Sequence, residues 1–333
     1  MKALVLKHYG GRDPIAFTDL PRPVPGPDEI LVRVSAVGLN PIDNKIPTGA
    51  FKVVLRLQLP ATLGSDLAGV VVAVGDRVTR FRPGDDVFAC IFDLGKGALA
   101  EFAVVPETAA ALKPARLDFV QAASIPLVGL TAWQALKERA RVTSGQKVFI
   151  PAGSGGIGTF AIQLAKHLGA KVGTTTSTGN VDLVRSLGAD EVIDYKQQDF
   201  EKVLRDYDAV LGTLQGDSIK KSLRILKRGS RVVSLVGPPD AAFGRARGMN
   251  RFLVFVFGLL SGGLIRRAKK RGAEYSFLFV RPDGAQLAEI GALLQSGRIR
   301  PVIDQVFPFD QAKEALAYLE KGRARGKVVV RID

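Results

Sequence analysis

One stretch limits the fold more than any other: Lys147 to Ser177, reading KVFIPAGSGGIGTFAIQLAKHLGAKVGTTTS. Val148, Phe149 and Ile150 make a short apolar run suited to a buried parallel strand. A glycine-dense turn follows, and then Ile157, Phe160, Ala161, Leu164, Ala165 and Leu168 recur with the spacing of one helix face. Gly169 ends that pattern, and Lys171 to Thr176 begin a second strand rich in Val and Thr. Strand, turn, helix and strand in this order predict the first β-α-β unit of a parallel sheet.

Within the turn, Gly153-Ser154-Gly155-Gly156-Ile157-Gly158 satisfies the G-x-G-x-x-G spacing. Glycine suits such a turn because the chain must bend tightly, admit a pyrophosphate against bare backbone and let the helix pack closely on the strand. The helix N-terminus then offers unpaired N–H groups and a positive dipole end to phosphate. Ser154, Gly155, Gly156, Ile157 and Gly158 are therefore candidate cofactor-binding residues. A ligand-free glycine connection would leave the four glycines without a purpose.

The end of the second strand bears on which dinucleotide is bound. A site for NAD places Asp or Glu there to hold the ribose hydroxyls, whereas this chain continues Thr176, Ser177, Thr178, Gly179, Asn180. Small hydroxyl and amide donors suit a 2′-phosphate that a carboxylate would repel, so Ser177 points to NADPH. Ser177 and Thr178 serving only as helix caps is the competing reading.

The 333 residues suffice for two domains, and 47% of them are hydrophobic, enough for a substantial core. The single cysteine, Cys90, excludes a disulfide framework and a multi-thiolate zinc site, and its place after Val87-Phe88-Ala89 predicts buried strand packing. The N-terminal MKALVLKHYGG runs straight into a strand pattern with no signal-peptide core, so a cytoplasmic location is expected. The formal charge of +15 invites a nucleic-acid reading, but eight basic residues and no acidic one lie between Ala241 and Ala273, so about half the excess is local. No helix-turn-helix, zinc-finger or RNA-stacking pattern accompanies it, and no nucleic-acid partner is expected.

Residues 1 to about 120 read as short strands separated by turn clusters such as Pro21-Arg22-Pro23-Val24-Pro25-Gly26-Pro27, which predicts a small β-barrel. Residues 122–140 read as one apolar helix leading into the nucleotide domain. Beyond the fingerprint, helices and strands alternate through Glu191–Tyr195, Asp208–Thr213 and Arg231–Val236, as a doubly wound sheet requires.

The segments GLNPIDNK, GSDLAGVVVAVG, FRPGDDVFA, AASIPLVGLTAW, AGSGGIG, LGADEVIDY and RGKVVV span nearly the whole chain. In that order they resemble the medium-chain dehydrogenase/reductase superfamily, in its zinc-independent quinone oxidoreductase group. Through IRPVIDQVFPF and GRARGKVVV the second half is similar to the reticulon-interacting mitochondrial NADPH oxidoreductases. The resemblance implies an α/β protein with a GroES-like β-barrel domain from 1–121 and 286–333 and a Rossmann domain from 122–285.

It also implies NADPH-dependent hydride transfer to a small-molecule quinone or α,β-unsaturated carbonyl. Zinc-dependent relatives carry cysteine where Asn40 lies and histidine where Ser65 lies, so no metal is expected, and His8 and His167 are isolated. Relatives bring the residues matching Thr131, Tyr195 and Arg325 to the cofactor, although a helix-interior Thr and a solvated turn Arg would read the same way. Asn40 and Lys45 are the candidate catalytic residues, placed at the cleft mouth, with Asn40 orienting nicotinamide or substrate and Lys45 donating to the enolate. Asp43 is expected to be a turn acceptor. The competing class is a protein that binds NADPH but works as a partner or membrane-surface component with little turnover.

Arg251–Gly272, RFLVFVFGLLSGGLIRRAKKRG, carries no charge from Phe252 to Ile265 and is bounded by arginines. It is too short to span a bilayer. A lid or domain-interface helix, a homodimer contact, and shallow peripheral membrane contact through 252–271 are the three readings.

Overall fold

In a computed structural model of the chain, residues 1–55 and 57–332 are described. They form two units, one of Met1–Leu130 with the chain from Arg281 onward, the other Thr131–Val280.

The first unit is built from short strands: β1 (Lys2–Leu6), β2 (Ile15–Asp19), β3 (Glu29–Leu39), β4 (Ala61–Thr62), β5 (Asp66–Val74), β6 (Asp86–Cys90), β7 (Phe102–Pro106) and β8 (Ala110–Leu112). A short helix, α1 (Pro41–Lys45), follows β3. The edge strands β2 and β8 and the two-residue β4 escape the sequence pattern because they are short and partly exposed. Cys90 lies fully buried on β6, as the pattern predicts.

The single helix expected over 122–140 is three pieces: Phe119–Ala123, then α2 (Pro126–Trp133), then a wide π-helical turn over Gln134–Arg139. Pro126 lacks the N–H that would continue the first piece. At the far end the Ala140 amide reaches back five residues to the Ala135 carbonyl at 2.8 Å.

The second unit holds β9 (Lys147–Ile150), α3 (Gly156–His167), β10 (Lys171–Thr176), β11 (Glu191–Asp194), β12 (Tyr207–Gly212), β13 (Leu226–Ser234), α4 (Ala241–Ala246), α5 (Arg251–Lys270) and β14 (Glu274–Phe277). Its six strands pair in parallel in the order β11-β10-β9-β12-β13-β14. That is the doubly wound arrangement, with the first strand at the centre and the order reversing beside it. Phe149, Tyr207, Val210 and Val232 fill the core on one side of the sheet, joined by Phe200 and Leu204. The chain returns to the first unit with β15 (Ile303–Pro308) and β16 (Lys327–Arg331). β16 pairs parallel with β15 and antiparallel with β3.

Candidate functional site

The turn from β9 into α3 is shaped by what each glycine meets. A Cβ on Gly153 would stand 2.1 Å from Thr174 Oγ1, and one on Gly158 would stand 2.5 Å from the Ala152 carbonyl. Those two glycines are required by packing of the turn itself. A Cβ on Gly155 would meet only the Ala152 carbonyl, at 3.5 Å, so that position faces open space. Ala152 takes a left-handed backbone with φ of 55°, a conformation a residue with a Cβ rarely holds. Two hydrogen bonds tie the turn to β10: Thr175 Oγ1 accepts from the Ala152 amide at 3.1 Å, and the Thr175 carbonyl accepts from Gly153 N–H at 2.9 Å.

No side chain caps α3 at Gly155. The amides of Gly156, Ile157 and Gly158 thus form an uncapped first turn with the positive end of the helix dipole.

A cluster of hydroxyls lies beside this turn. Thr176 Oγ1 donates to Ser154 Oγ at 3.0 Å, and Asn180 Nδ2 reaches both Ser154 Oγ and Ser177 Oγ at 3.2 Å. Asn180 Oδ1 is buried with no hydrogen-bond partner, an acceptor that calls for a donor from outside the fold. Tyr195 follows β11 as Ser177 follows β10; Thr176 and Asp194 are register partners, and Tyr195 N–H bonds the Thr176 carbonyl at 3.1 Å. The two residues therefore stand side by side at the carboxyl ends of adjacent strands. The Tyr195 ring is exposed, and the exposed cation Lys196 comes next.

An acid is present at this edge, and sequence reasoning did not single it out. Asp194 ends β11, but Thr178 Oγ1 (2.6 Å) and Gln197 Nε2 (2.9 Å) donate to one oxygen and Lys196 N–H (3.0 Å) to the other. The Thr178 hydroxyl, more than any other neighbour, holds the carboxyl below its ordinary range. Its oxygens are thus engaged in fixing the loop after β10. The uncapped helix turn and the open face of Gly155 fit a pyrophosphate, and the orphaned Asn180 oxygen fits a ribose hydroxyl, so this edge suits a nicotinamide dinucleotide.

Thr131 is buried on α2. Arg325 belongs to the first unit, exposed on the turn before β16.

The first unit contains a buried polar nest. Asn40 Nδ2 donates to Asp66 Oδ2 at 2.9 Å and to the Gly38 carbonyl at 3.2 Å, while Asn40 Oδ1 accepts from Lys327 Nζ at 2.6 Å. Lys327 also pairs with Asp66 at 3.2 Å. Asp43 accepts from the Asn40 amide at 2.7 Å and from Ser65 Oγ at 3.1 Å, and the Asp66 carboxylate also takes the Leu127 amide at 2.8 Å. Burial pushes the Asp43 carboxyl up to about 7, with the Asp66 charge adding to the effect and the Asn40 amide and Lys327 opposing it. Burial likewise raises Asp66 despite the Lys327 ammonium, and drives the Cys90 thiol well above its ordinary value.

The placement of Asn40 at a cleft mouth is corrected by this geometry. Asn40 is 1% exposed with its amide hydrogens and its oxygen already bonded, so in this structure its side chain belongs to the buried nest at the start of α1. Asp43 closes a capping box with Asn40 at the start of α1, the acceptor role expected of it. Lys45 is exposed at the end of α1. Lys327 was missed because it opens a strand, ahead of a run of three valines, that reads as a plain β-segment.

Residues 26–115 match the family model of the alcohol dehydrogenase GroES-like domain, and residues 187–330 match that of the zinc-binding dehydrogenases. The chain belongs to the medium-chain dehydrogenase/reductase superfamily of oxidoreductases. It is 36% identical to the mitochondrial NAD(P)H oxidoreductase RTN4IP1 of Danio rerio, over 100% of this chain and 91% of that protein. It is 35% identical to 2-methylene-furan-3-one reductase of Solanum lycopersicum, over 99% of this chain and 79% of that protein. The structure of the quinone oxidoreductase from Coxiella burnetii superposes with a TM-score of 0.86 at 31% identity, covering 100% of this chain and 99% of that one. Among the described residues no group of three or more His, Cys, Asp or Glu side chains is placed to hold a metal ion.

Proposed function

We propose that the protein is an NADPH-dependent reductase of quinones or α,β-unsaturated carbonyls that works without zinc. The observation that carries the cofactor choice is the edge of β10 and β11. Ser177 and Tyr195 stand together there, and the Asp194 carboxylate is engaged elsewhere. A 2′-phosphate would meet hydroxyls and the Lys196 cation in place of a free carboxylate.

The bound nicotinamide supplies the hydride. The chain's part is to hold the pyrophosphate on the first turn of α3, and to exclude a carboxylate from the ribose phosphate. Lys45, an exposed cation on a short helix whose start is anchored by Asn40 and Asp43, is the donor assigned to the carbonyl oxygen as negative charge develops there. The absence of zinc rests on the identity of the side chains at Asn40 and Ser65, which offer neither thiolate nor imidazole and are already bonded to Lys327 and Asp43. Support for the acceptor class comes from the names of the relatives, quinone oxidoreductase and 2-methylene-furan-3-one reductase.

The test is oxidation of NADPH by purified protein with 1,4-benzoquinone, 9,10-phenanthrenequinone or a short enone, with NADH as control. Turnover with NADPH preferred is expected. Gly155→Val is the paired variant: its side chain meets open space in the protein and fills the phosphate position, so NADPH affinity should fall by at least roughly tenfold while the fold persists. NADPH binding without turnover on any acceptor would sink the reductase reading and leave a nucleotide-binding role.

A further inference from the structure

The helix α5 divides its faces between the core and solvent. Phe257, Ser261 and Ala268 are buried at helical spacing, with Leu264 packed against the core cluster. Phe257 stacks 5.9 Å from Phe243 of α4, and Asn250 caps the helix by accepting the Leu253 amide at 2.9 Å. The opposite face is unpartnered. Phe252 (72% exposed), Phe255 (62%), Leu259 (64%) and Leu260 (60%) present a continuous apolar row over the first half of the helix. Arg266 and Lys270 continue the same stripe at i+7 and i+11 from Leu259, with Lys269 and Arg271 alongside, all exposed.

Beside this row an open groove of about 610 Å³ runs between α4 and α5. Its apolar lining includes Met249, Val254 and Leu259, and its rim carries Arg245 and Arg251. The nearest acids in sequence are both occupied. Asp240 is a buried cap that accepts the Phe243 amide (2.8 Å) and the Phe277 amide (3.1 Å), and Glu274 pairs with Arg231 at 3.4 Å.

Such a face needs an occupant that is apolar within and anionic at its border. A second copy of the chain is disfavoured: a two-fold contact over this face would set one run of eight cations against its own image, with no acidic residue between Ala241 and Ala273 to pair with them. No described helix is long and apolar enough to cross a membrane, so the helix would lie on a bilayer surface without spanning it. We infer that the α4–α5 face docks on an anionic bilayer. The phenylalanine and leucine row enters the acyl boundary, the basic end of α5 lies among phosphate headgroups, and the groove seats a lipid chain between Arg245 and Arg251. Basic side chains would then hold their charge at headgroup level while their stems lie along apolar surface.

The experiment is co-sedimentation of the full chain with vesicles of phosphatidylcholine mixed with phosphatidylglycerol, against phosphatidylcholine alone. Binding to the mixed vesicles at low salt and release at high salt are expected. The triple variant Arg266→Glu, Lys269→Glu, Lys270→Glu should lower the partition constant roughly 100-fold or more. Phe252→Ser, Phe255→Ser, Leu259→Ser should lower it to a similar extent, about 100-fold. All six side chains are exposed, so both variants should keep the wild-type circular dichroism, and either one alone tests the idea. No vesicle binding at low salt would overturn it, as would binding that neither variant weakens. A protein that sediments as a dimer, becomes monomeric in the serine variant and ignores vesicles would give the face to a second copy.

Discussion

In the proposed reading, Ser177 bears on cofactor choice through one oxygen. Its hydroxyl already takes a hydrogen bond from Asn180, so it is held where the strand β10 releases the chain. Ser177→Asp would set a carboxylate where the 2′-phosphate is expected. Steady-state kinetics should then show kcat/KM for NADPH falling by at least roughly tenfold, with NADH gaining relative to it. Unchanged preference would move the phosphate elsewhere. The place of Ser177 at the end of β10 could be read from sequence because it depends on one local strand pattern. Asn40 could not: its partners Asp66 and Lys327 lie 26 and 287 residues away, and side-chain hydrogen bonds across such distances leave no local pattern. Asp194 escaped for a similar reason, since Thr178, which engages it, lies on the loop after the neighbouring strand.

Among the elements, the β9–α3 turn was the most legible, because strand, turn and helix declare themselves within a short local pattern. Its three fingerprint positions nevertheless differ physically. Gly158→Ala forces a Cβ to 2.5 Å from the Ala152 carbonyl and 2.7 Å from Gly153 Cα, so backbone must move. A stability loss of about 1–3 kcal/mol is expected, whereas Gly155→Ala should change stability by only about 0.5 kcal/mol. Thermal unfolding followed by circular dichroism compares the two; equal shifts would mean that the turn does not pack as described. The stretch 122–140 was less legible, because an apolar run gives its length and says little of where hydrogen bonding changes register. Pro126 marked the break, and the π-helical turn ending at Ala140 had no signal in composition.

At the scale of the molecule, two units with separate cores carry two kinds of polar chemistry, an open hydroxyl edge in one and a sealed nest in the other. The nest predicts a pH dependence. The folded-state value of about 7 for Asp43 exceeds its ordinary 3.8. The native state therefore holds this proton more tightly than the unfolded chain, and that contribution is full below 3.8 and is lost as pH rises through 7. Asp66 acts in the same direction. Urea unfolding should show lower stability at about pH 8 than at about pH 5.5, by about 2 kcal/mol from Asp43. Asp43→Asn should flatten that slope, and a variant as steep as the wild type would count against the sealed nest.

The ammonium that completes this nest is delivered by β16, whose antiparallel pairing with β3 runs from Leu39 to Ala36. On the ribosome, β3 emerges well before β16, which lies beyond the whole of 131–280. The nascent chain thus carries an open strand edge at 36–39 and an uncompensated Asp66 while the whole of 131–280 is made and can fold. The first unit can close only after the second has been made, and during that interval the bare edge of β3 is the kind of open strand edge a chaperone covers.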